Sequence, residues 1–360
     1  MGRRDLSAVD GHYMLETTAA LCRIPSPTGY TREAVAFVEE RLAGFGLSVR
    51  RTVKGALVAS FGSAASEGGH RTLSAHVDTL GAMVKEIKPN GRLRLTQIGG
   101  YDWATIEGEY CTVHTHPRGG EPGVVSGTIL TTKSSTHIHG NALRDLKRDE
   151  QSLEVRLDAR VGSADDVRRL GVAVGDFVSL DPRTVVTPDG FVKSRHLDDK
   201  ACVALLLGVA KAVTEAGIEP AVPAHLYVST YEEVGHGSSA ALPPETTELI
   251  AVDMAAVGEG QTSDEFATTV CVKDSSGPYD HELSRRLVEL AEGNSIDCRV
   301  DIYNYYASDV SQALRAGYDV RGALVGPGVD ASHSYERLHQ RSLEETARLL
   351  LAYLTSDPEA

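Results

Sequence analysis

Two histidines and a set of carboxylates, spread over most of the chain, are the residues whose types could do chemistry. They are His76-Val77-Asp78, Asp198-Asp199-Lys200, Glu232-Glu233, Asp253 and His333. Imidazole and carboxylate groups are the donors that hard-to-borderline divalent metals take. Two such ions held close together are a recurrent device for hydrolysing amides and esters. They need a bridging carboxylate, terminal ligands on each ion and an open position for water. A further acid, off the metals, must take the proton of that water and return it to the leaving amine. Adjacent Glu232 and Glu233 can divide these jobs, because neighbouring side chains leaving a strand point in different directions. Asp78, two residues beyond His76, could orient the imidazole through a hydrogen bond. Taken singly, an Asp or Glu is more often a solvated side chain or a helix cap. The ordered set carries the argument.

Four of the five clusters follow an apolar run that reads as a strand. His76 and Asp78 end Thr72–His76, Glu232-Glu233 follow Ala224–Ser229, Asp253 ends Glu248–Val252, and His333 lies in the loop after Arg321–Val325. Ligands of open α/β sheets gather beyond the carboxyl ends of the strands, so these clusters should converge. Asp198 stands just before a strongly apolar helix that opens at Asp199-Lys200-Ala201 and runs to a Gly217 C-cap. The positive end of that helix tolerates a carboxylate. Further helices are expected over Leu15–Ile24, from a Thr31 N-cap through Leu42, and over His281–Glu292, Val310–Ala316 and Leu343–Thr355, with another strand at Leu57–Phe61.

From about Met83 to Val185 the pattern changes to short strands and frequent turns. Asn90-Gly91, Gly99-Gly100, Gly119-Gly120 and Asp189-Gly190 are turn signals, mostly in this block, which reads as a small β-barrel or sandwich. The α/β segments on either side are incomplete alone. The expected organisation is therefore one discontinuous α/β domain, residues 1–82 and 186–360, interrupted by a β domain at 83–185. His114-Thr115-His116 and His137-Ile138-His139 fall there, each pair on one strand face, and read as exposed or interface histidines rather than a second metal site.

Composition narrows the function. With 360 residues and a net charge of -14, and no Lys/Arg stripe, a nucleic-acid partner is not expected. No apolar stretch approaches the roughly 20 residues of a membrane span. Met1–Asp5 lacks the apolar core of an export signal. The five cysteines are odd in number, are not in Cys-x-x-Cys spacing and mostly sit in apolar runs, which suits reduced thiols in the cytoplasm.

The chain resembles the tetrahedral, or glutamyl and deblocking, aminopeptidases, family forty-two of the metallopeptidases. The matching segments, in the family's order, are Ile24–Gly29, Ala75–Asp78, Leu197–Ala201, Glu232–Gly235, Val252-Asp253 and His333–Arg337. The resemblance implies a phosphorylase/hydrolase-like zinc-peptidase sandwich with an inserted β-barrel. It implies two divalent ions, Zn or Co, with His76 and Asp253 on one, Glu233 and His333 on the other, and Asp198 bridging. Glu232 would be the general acid/base and Asp78 would orient His76. It further implies release of N-terminal residues from peptides, and a homo-oligomer built from dimers, up to a hollow dodecamer. The aminoacylase-like carboxypeptidases share the ligand order, but there the first histidine and the bridging Asp lie close together. The long interval between His76 and Asp198 favours the tetrahedral type. A glycosidase would not need this histidine-containing set.

Two segments depart from the family pattern. Tyr305–Asp309 replaces a Gly-Thr-Asp-Ala-like stretch, and His236-Gly237-Ser238 follows Gly235. Ser308, Asp309 and His236 are therefore expected beside the substrate. The leading expectation is a cytoplasmic metallo-aminopeptidase. Its rivals are a small-molecule amidohydrolase or deacylase acting on short modified or acylated dipeptides, and a metal-stabilised scaffold without catalysis.

Overall fold

Runs of apolar residues bounded by turns become the strands of a mixed sheet in the computed structural model, which describes residues 6–62, 69–116 and 121–358. The chain packs as two compact units, Met1–Asp78 with Arg183–Ala360, and Thr79–Pro182. The expected α/β class with a small β-barrel holds.

In the first unit, four parallel strands lie side by side in the order Ala224–Ser229, His70–His76, Thr246–Val252 and Arg321–Asp330. Both faces of these strands are buried, which is why they read as nearly continuous apolar runs. Their register sets Ser229 beside His76, and Ala251 beside both Ser74 and Leu324, so three of the strands end at one level while Arg321–Asp330 runs on past them. Leu57–Phe61 extends the sheet antiparallel beyond Ala224–Ser229. Thr268–Asp274 and Cys298–Ile302, not foreseen from the sequence, extend it past Arg321–Asp330.

The Leu197–Glu215 helix packs against helices Gly11–Cys22 and Gln340–Leu354. Every residue from Leu197 to Ala210 is buried, so this helix has no polar stripe and belongs to the centre of the fold. Two helices begin earlier than their apolar periodicity suggests, because side chains cap them. Asp10 accepts Tyr13 N–H at 2.9 Å, and the His339 ring accepts Arg341 N–H at 3.0 Å. Thr31 stands at the predicted N-cap of Arg32–Gly44 but makes no side-chain cap bond.

In the second unit, six antiparallel strands close a barrel in the order Gly81–Ile87, Leu93–Ile98, Leu153–Leu157, Gly123–Thr131, Tyr110–Thr115 and Phe177–Leu180. Alternate residues such as Val84, Leu95, Val113, Ile129, Val155 and Val178 fill it. Gly91, at φ +80°, serves the hairpin between its first two strands. The Gly119-Gly120 signal and Met1–Asp5 lie outside the described residues. Of the two histidine pairs, the first keeps its strand setting at His114, in Tyr110–Thr115, but is not exposed there, and the second is not on a strand. His137 and His139 sit in a short helix, Thr136–His139, and His114 is buried with Nε2 2.8 Å from Ser179 Oγ.

One close approach decides how the sheet reaches the chemistry. A Cβ on Gly326 would stand 1.7 Å from the Asp253 carbonyl oxygen and 3.3 Å from Ala255 N. Both obstacles are backbone and cannot swing aside. Gly326→Ala is expected to destabilise the fold by roughly 3 kcal/mol or more, read as a lower denaturant midpoint. An unchanged midpoint would show that the strands can part there.

Candidate metal centre

The clusters meet at the carboxyl ends of the four parallel strands. His76 ends His70–His76, Glu232 and Glu233 form a single 3-10 turn after Ala224–Ser229, Asp253 follows Thr246–Val252, and His333 follows Arg321–Asp330. Asp198 opens the buried helix, through a cis peptide to Asp199.

Asp198 is at the centre of the cluster. Its Oδ1 lies 3.2 Å from His76 Nε2, and its Oδ2 lies 3.2 Å from His333 Nε2. Asp253 Oδ2 is 4.0 Å and Glu232 Oε2 is 3.8 Å from the same His76 nitrogen. Glu233 Oε2 is 3.8 Å from His333 Nε2. One donor atom each from His76, Asp198 and Asp253 fits within 4.8 Å of the others.

The electrostatics is one of crowded acids. Burial pushes the Glu233 carboxyl up to about 8, with the Asp198 charge adding to it, and lifts Asp253 to about 7 for the same two reasons. Burial also holds Glu232 well above the usual carboxylate range. Asp198 goes the other way. Burial opposes its charge, but hydrogen bonds with His333 and His76 hold it below the usual value. Burial likewise opposes the charge of His333, yet its contact with Asp198 and the nearby Glu233 lift it to about 11. Lys200 contributes no hydrogen bond to the cluster, since its ammonium donates to the Ile24 carbonyl at 2.5 Å. Glu233 Oε1 and Asp199 Oδ1 are buried without a hydrogen-bond partner. Two imidazoles, several acids and unpartnered carboxylate oxygens make a donor set that fits divalent cations. His76, Asp198 and Asp253 could hold one, and Asp198, Glu233 and His333 another.

Several supports were not foreseen. The Glu336 carboxylate accepts Leu197 N–H at 2.7 Å and Asp198 N–H at 3.2 Å through one oxygen, and His333 N–H at 3.1 Å through the other. It therefore fixes two of the clusters at once, and His333 keeps its left-handed backbone, φ +62°, beside it. The Ile24–Gly29 segment backs the His76 turn. Ser26 Oγ donates to the Val77 carbonyl at 2.8 Å and Thr28 Oγ1 to Asp78 Oδ2 at 2.6 Å. Asp78 is placed differently from expectation. His76 Nδ1 is 2.9 Å from the Asp78 backbone carbonyl and 3.6 Å from its carboxylate. That carboxylate instead receives the N–H groups of Glu232 and Glu233 at 3.1 and 3.3 Å. The turn carrying both glutamates hangs on it, because backbone donors leaving a strand need an acceptor.

A cavity of about 500 Å³ opens beside the cluster, and Tyr303, Tyr305, Tyr306, Gln261 and Gln312 are among its lining residues. Ser308, Asp309 and His236, expected in its wall, are not in it. Ser308 and Asp309 are buried at the start of the Asp309–Arg315 helix, where Asp309 accepts Ser229 Oγ–H at 2.8 Å and Ser238 N–H at 2.9 Å. Exposed His236 stacks on Tyr231 with ring centres 4.9 Å apart. Polar residues in short loops gave no sign of which way they face.

The sequence profile of the M42 glutamyl aminopeptidases matches residues 55–349. The chain belongs to the M42 glutamyl aminopeptidase family. It is thus a metal-dependent hydrolase of the aminopeptidase kind. The Bacillus subtilis (strain 168) protein named "Putative aminopeptidase YhfE" is 46% identical over 95% of this chain and 97% of its own length. Among M42-type folds, an aminopeptidase of the archaeon Desulfurococcus kamchatkensis superposes with a TM-score of 0.84 at 20% identity, over 96% of this chain and 95% of that one. The TET1 peptidase of Pyrococcus horikoshii, described as assembling into a tetrahedron or a large octahedral shell, superposes with a TM-score of 0.81 at 22% identity, over 95% and 99%. Among the described residues, no helix is long and apolar enough to cross a membrane.

Two outcomes follow from the geometry of this M42 site. The raised Glu233 and Asp253 retain protons in the folded protein that the unfolded chain has lost above about pH 4. The raised imidazoles act in the same direction above about pH 6.5. Chelator-treated protein should therefore melt at lower temperature as pH rises from 5 to 8, and added Zn²⁺ should restore more at pH 8 than at pH 5. A pH-independent melting temperature would contradict this. Glu336→Gln turns an amide toward backbone donors and should weaken metal affinity by roughly 10–100-fold, measured by competition with a chromogenic chelator.

Proposed function

We propose that the chain is a dinuclear aminopeptidase, with His76 and Asp253 on one ion, Glu233 and His333 on the other, and Asp198 shared. The observation that carries this reading is the Asp198 carboxylate, with one oxygen 3.2 Å from each imidazole. Zn²⁺ or Co²⁺ suits such nitrogen and oxygen donors. Ions held there would polarise the scissile carbonyl and make the attacking water more acidic.

Glu232 is the proposed general acid/base. Its Oε2 faces the donor cluster, while its backbone is held by Asp78. The carboxylate takes a proton from water as oxygen bonds to the scissile carbon, then gives it to the amide nitrogen as the C–N bond breaks. Asp78 acts here by positioning both the glutamate turn and, through its carbonyl, the His76 ring.

The substrate is proposed to be a short peptide with a free N-terminus and a neutral first side chain. The cavity lining supports this, since among the described residues it offers tyrosines, amides and acids but no Lys or Arg to pair with an acidic side chain. Assembly into a homo-oligomer built on dimers, up to a dodecamer, is proposed through the 79–182 unit. The printed assemblies of the Pyrococcus horikoshii relative support it, as do exposed apolar side chains at Tyr110, Val124 and Ile138. The unpaired, mostly buried thiols suit the cytoplasm.

Glu232→Gln should keep its metal content and lose about 10²–10⁴-fold in kcat. Turnover like the wild type would remove Glu232 from the mechanism. Across dipeptide amides, free neutral N-termini should be cut faster than acidic or N-acetylated ones. Preference for the acetylated series would instead mark a deacylase.

A further inference from the structure

We infer that Gln312 is a positioning residue for the acid/base, fixing which oxygen of Glu232 carries the transferred proton. This rests on the role proposed for Glu232.

The Gln312 side chain is buried in the middle of the Asp309–Arg315 helix, with one edge on the cavity. Its Nε2 donates to Glu232 Oε1 at 2.6 Å and to the Glu232 carbonyl at 3.1 Å. Its Oε1 accepts the Gly237 N–H. That last contact sets the direction of the amide. A backbone N–H can only donate, so the amide oxygen must face Gly237 and the NH₂ must face Glu232. An NH₂ can only donate in turn. Glu232 Oε1 is therefore held as an acceptor and has no geometry in which to carry a proton toward Gln312. The proton taken up in the reaction goes to Oε2, the oxygen 3.8 Å from His76 Nε2 and turned to the donor cluster.

The contact to Gly237 is built in rather than incidental. A Cβ at 237 would lie 2.3 Å from Asp309 Oδ1 and 2.9 Å from Ser229 Oγ, so only glycine lets the loop come down on the helix. Asp309 takes the next donor, Ser238 N–H, at 2.9 Å. Successive loop amides thus rest on one helix, and the turn carrying Glu232 is held from Asp78 on one side and Gln312 on the other. The carboxylate is left with little rotation about its last bond. Such restraint matters for proton transfer, where misplacement by about 1 Å can cost on the order of 10²-fold.

Gln312→Glu keeps an acceptor for Gly237 N–H but removes the donor to Glu232. Gln312→Met removes both with little change of volume. Each variant would be reconstituted with Zn²⁺ and assayed on leucine p-nitroanilide beside Glu232→Gln. The expected result is wild-type metal content and KM within about twofold, with kcat lowered by roughly 10–100-fold. In the Glu232→Gln background, Gln312→Glu should add no further loss, since it acts through the same carboxylate. Wild-type kcat in both Gln312 variants, with Glu232→Gln inactive, would overturn the inference and leave the role of Glu232 intact. Full turnover by Glu232→Gln would overturn both. Raised KM at unchanged kcat, loss of metal from both variants, or an additive loss in the double variant would each overturn a positioning role. If Gln312→Met fails to fold because Gly237 N–H is orphaned, Gln312→Glu decides alone.

Discussion

One carboxylate between two imidazoles sets the terms for everything around it. Asp198 presents an oxygen to each of His76 and His333, and three more acids crowd the same buried space. Like charges so close are tolerable only with cations among them, or with protons taken up in their place. The raised Glu233 and Asp253, beside a lowered Asp198, record that conflict. The rest of the site answers a geometric demand. Acids that repel one another must be held in place by contacts that do not depend on their charge.

Those contacts are mostly backbone. Parallel register brings the ends of Ala224–Ser229, His70–His76 and Thr246–Val252 to one level, and Gly326 lets the longer Arg321–Asp330 strand close against the Asp253 carbonyl. Asp78 and Glu336 then collect N–H groups from the turns that carry the site, and Gln312 adds an amide. The acids that could meet metal and the acids that hold backbone are thus different residues, although both kinds are Asp or Glu. Chemistry is exposed on one side of the turns and secured on the other.

This division explains how much the sequence disclosed. The parallel strands and the residues that converge, His76, Asp198, Glu232, Glu233, Asp253 and His333, were legible because strand ends are marked by apolar runs and α/β sheets gather ligands there. The barrel was legible from short strands and frequent turn signals. Second-layer contacts were not. Whether the Asp78 carboxylate meets an imidazole or two amides depends on how the neighbouring turn folds back on it, which no spacing encodes. Glu336 stood in plain view three positions after His333, and that interval was the one available sign of its role. Ser308, Asp309 and His236 were assigned to the cavity by their departure from a motif. Difference from relatives marks a place of change but not the direction in which a side chain faces. Strand Cys298–Ile302 escaped because polar alternation at a sheet edge resembles loop, and Thr268–Asp274 because polar residues at both its ends leave only Val270–Val272 as an apolar run.

Glu336 also ties the site to the order in which the chain is made. It lies 139 positions beyond Leu197, whose N–H it holds, and it supports His333 as well. During synthesis, Asp198, Glu232, Glu233 and Asp253 all leave the ribosome before the group that fixes Asp198. Until Glu336 is made, Asp198 lacks the acceptor that holds its N–H. Any ion these groups hold would therefore gain the support of Glu336 only once that residue has emerged.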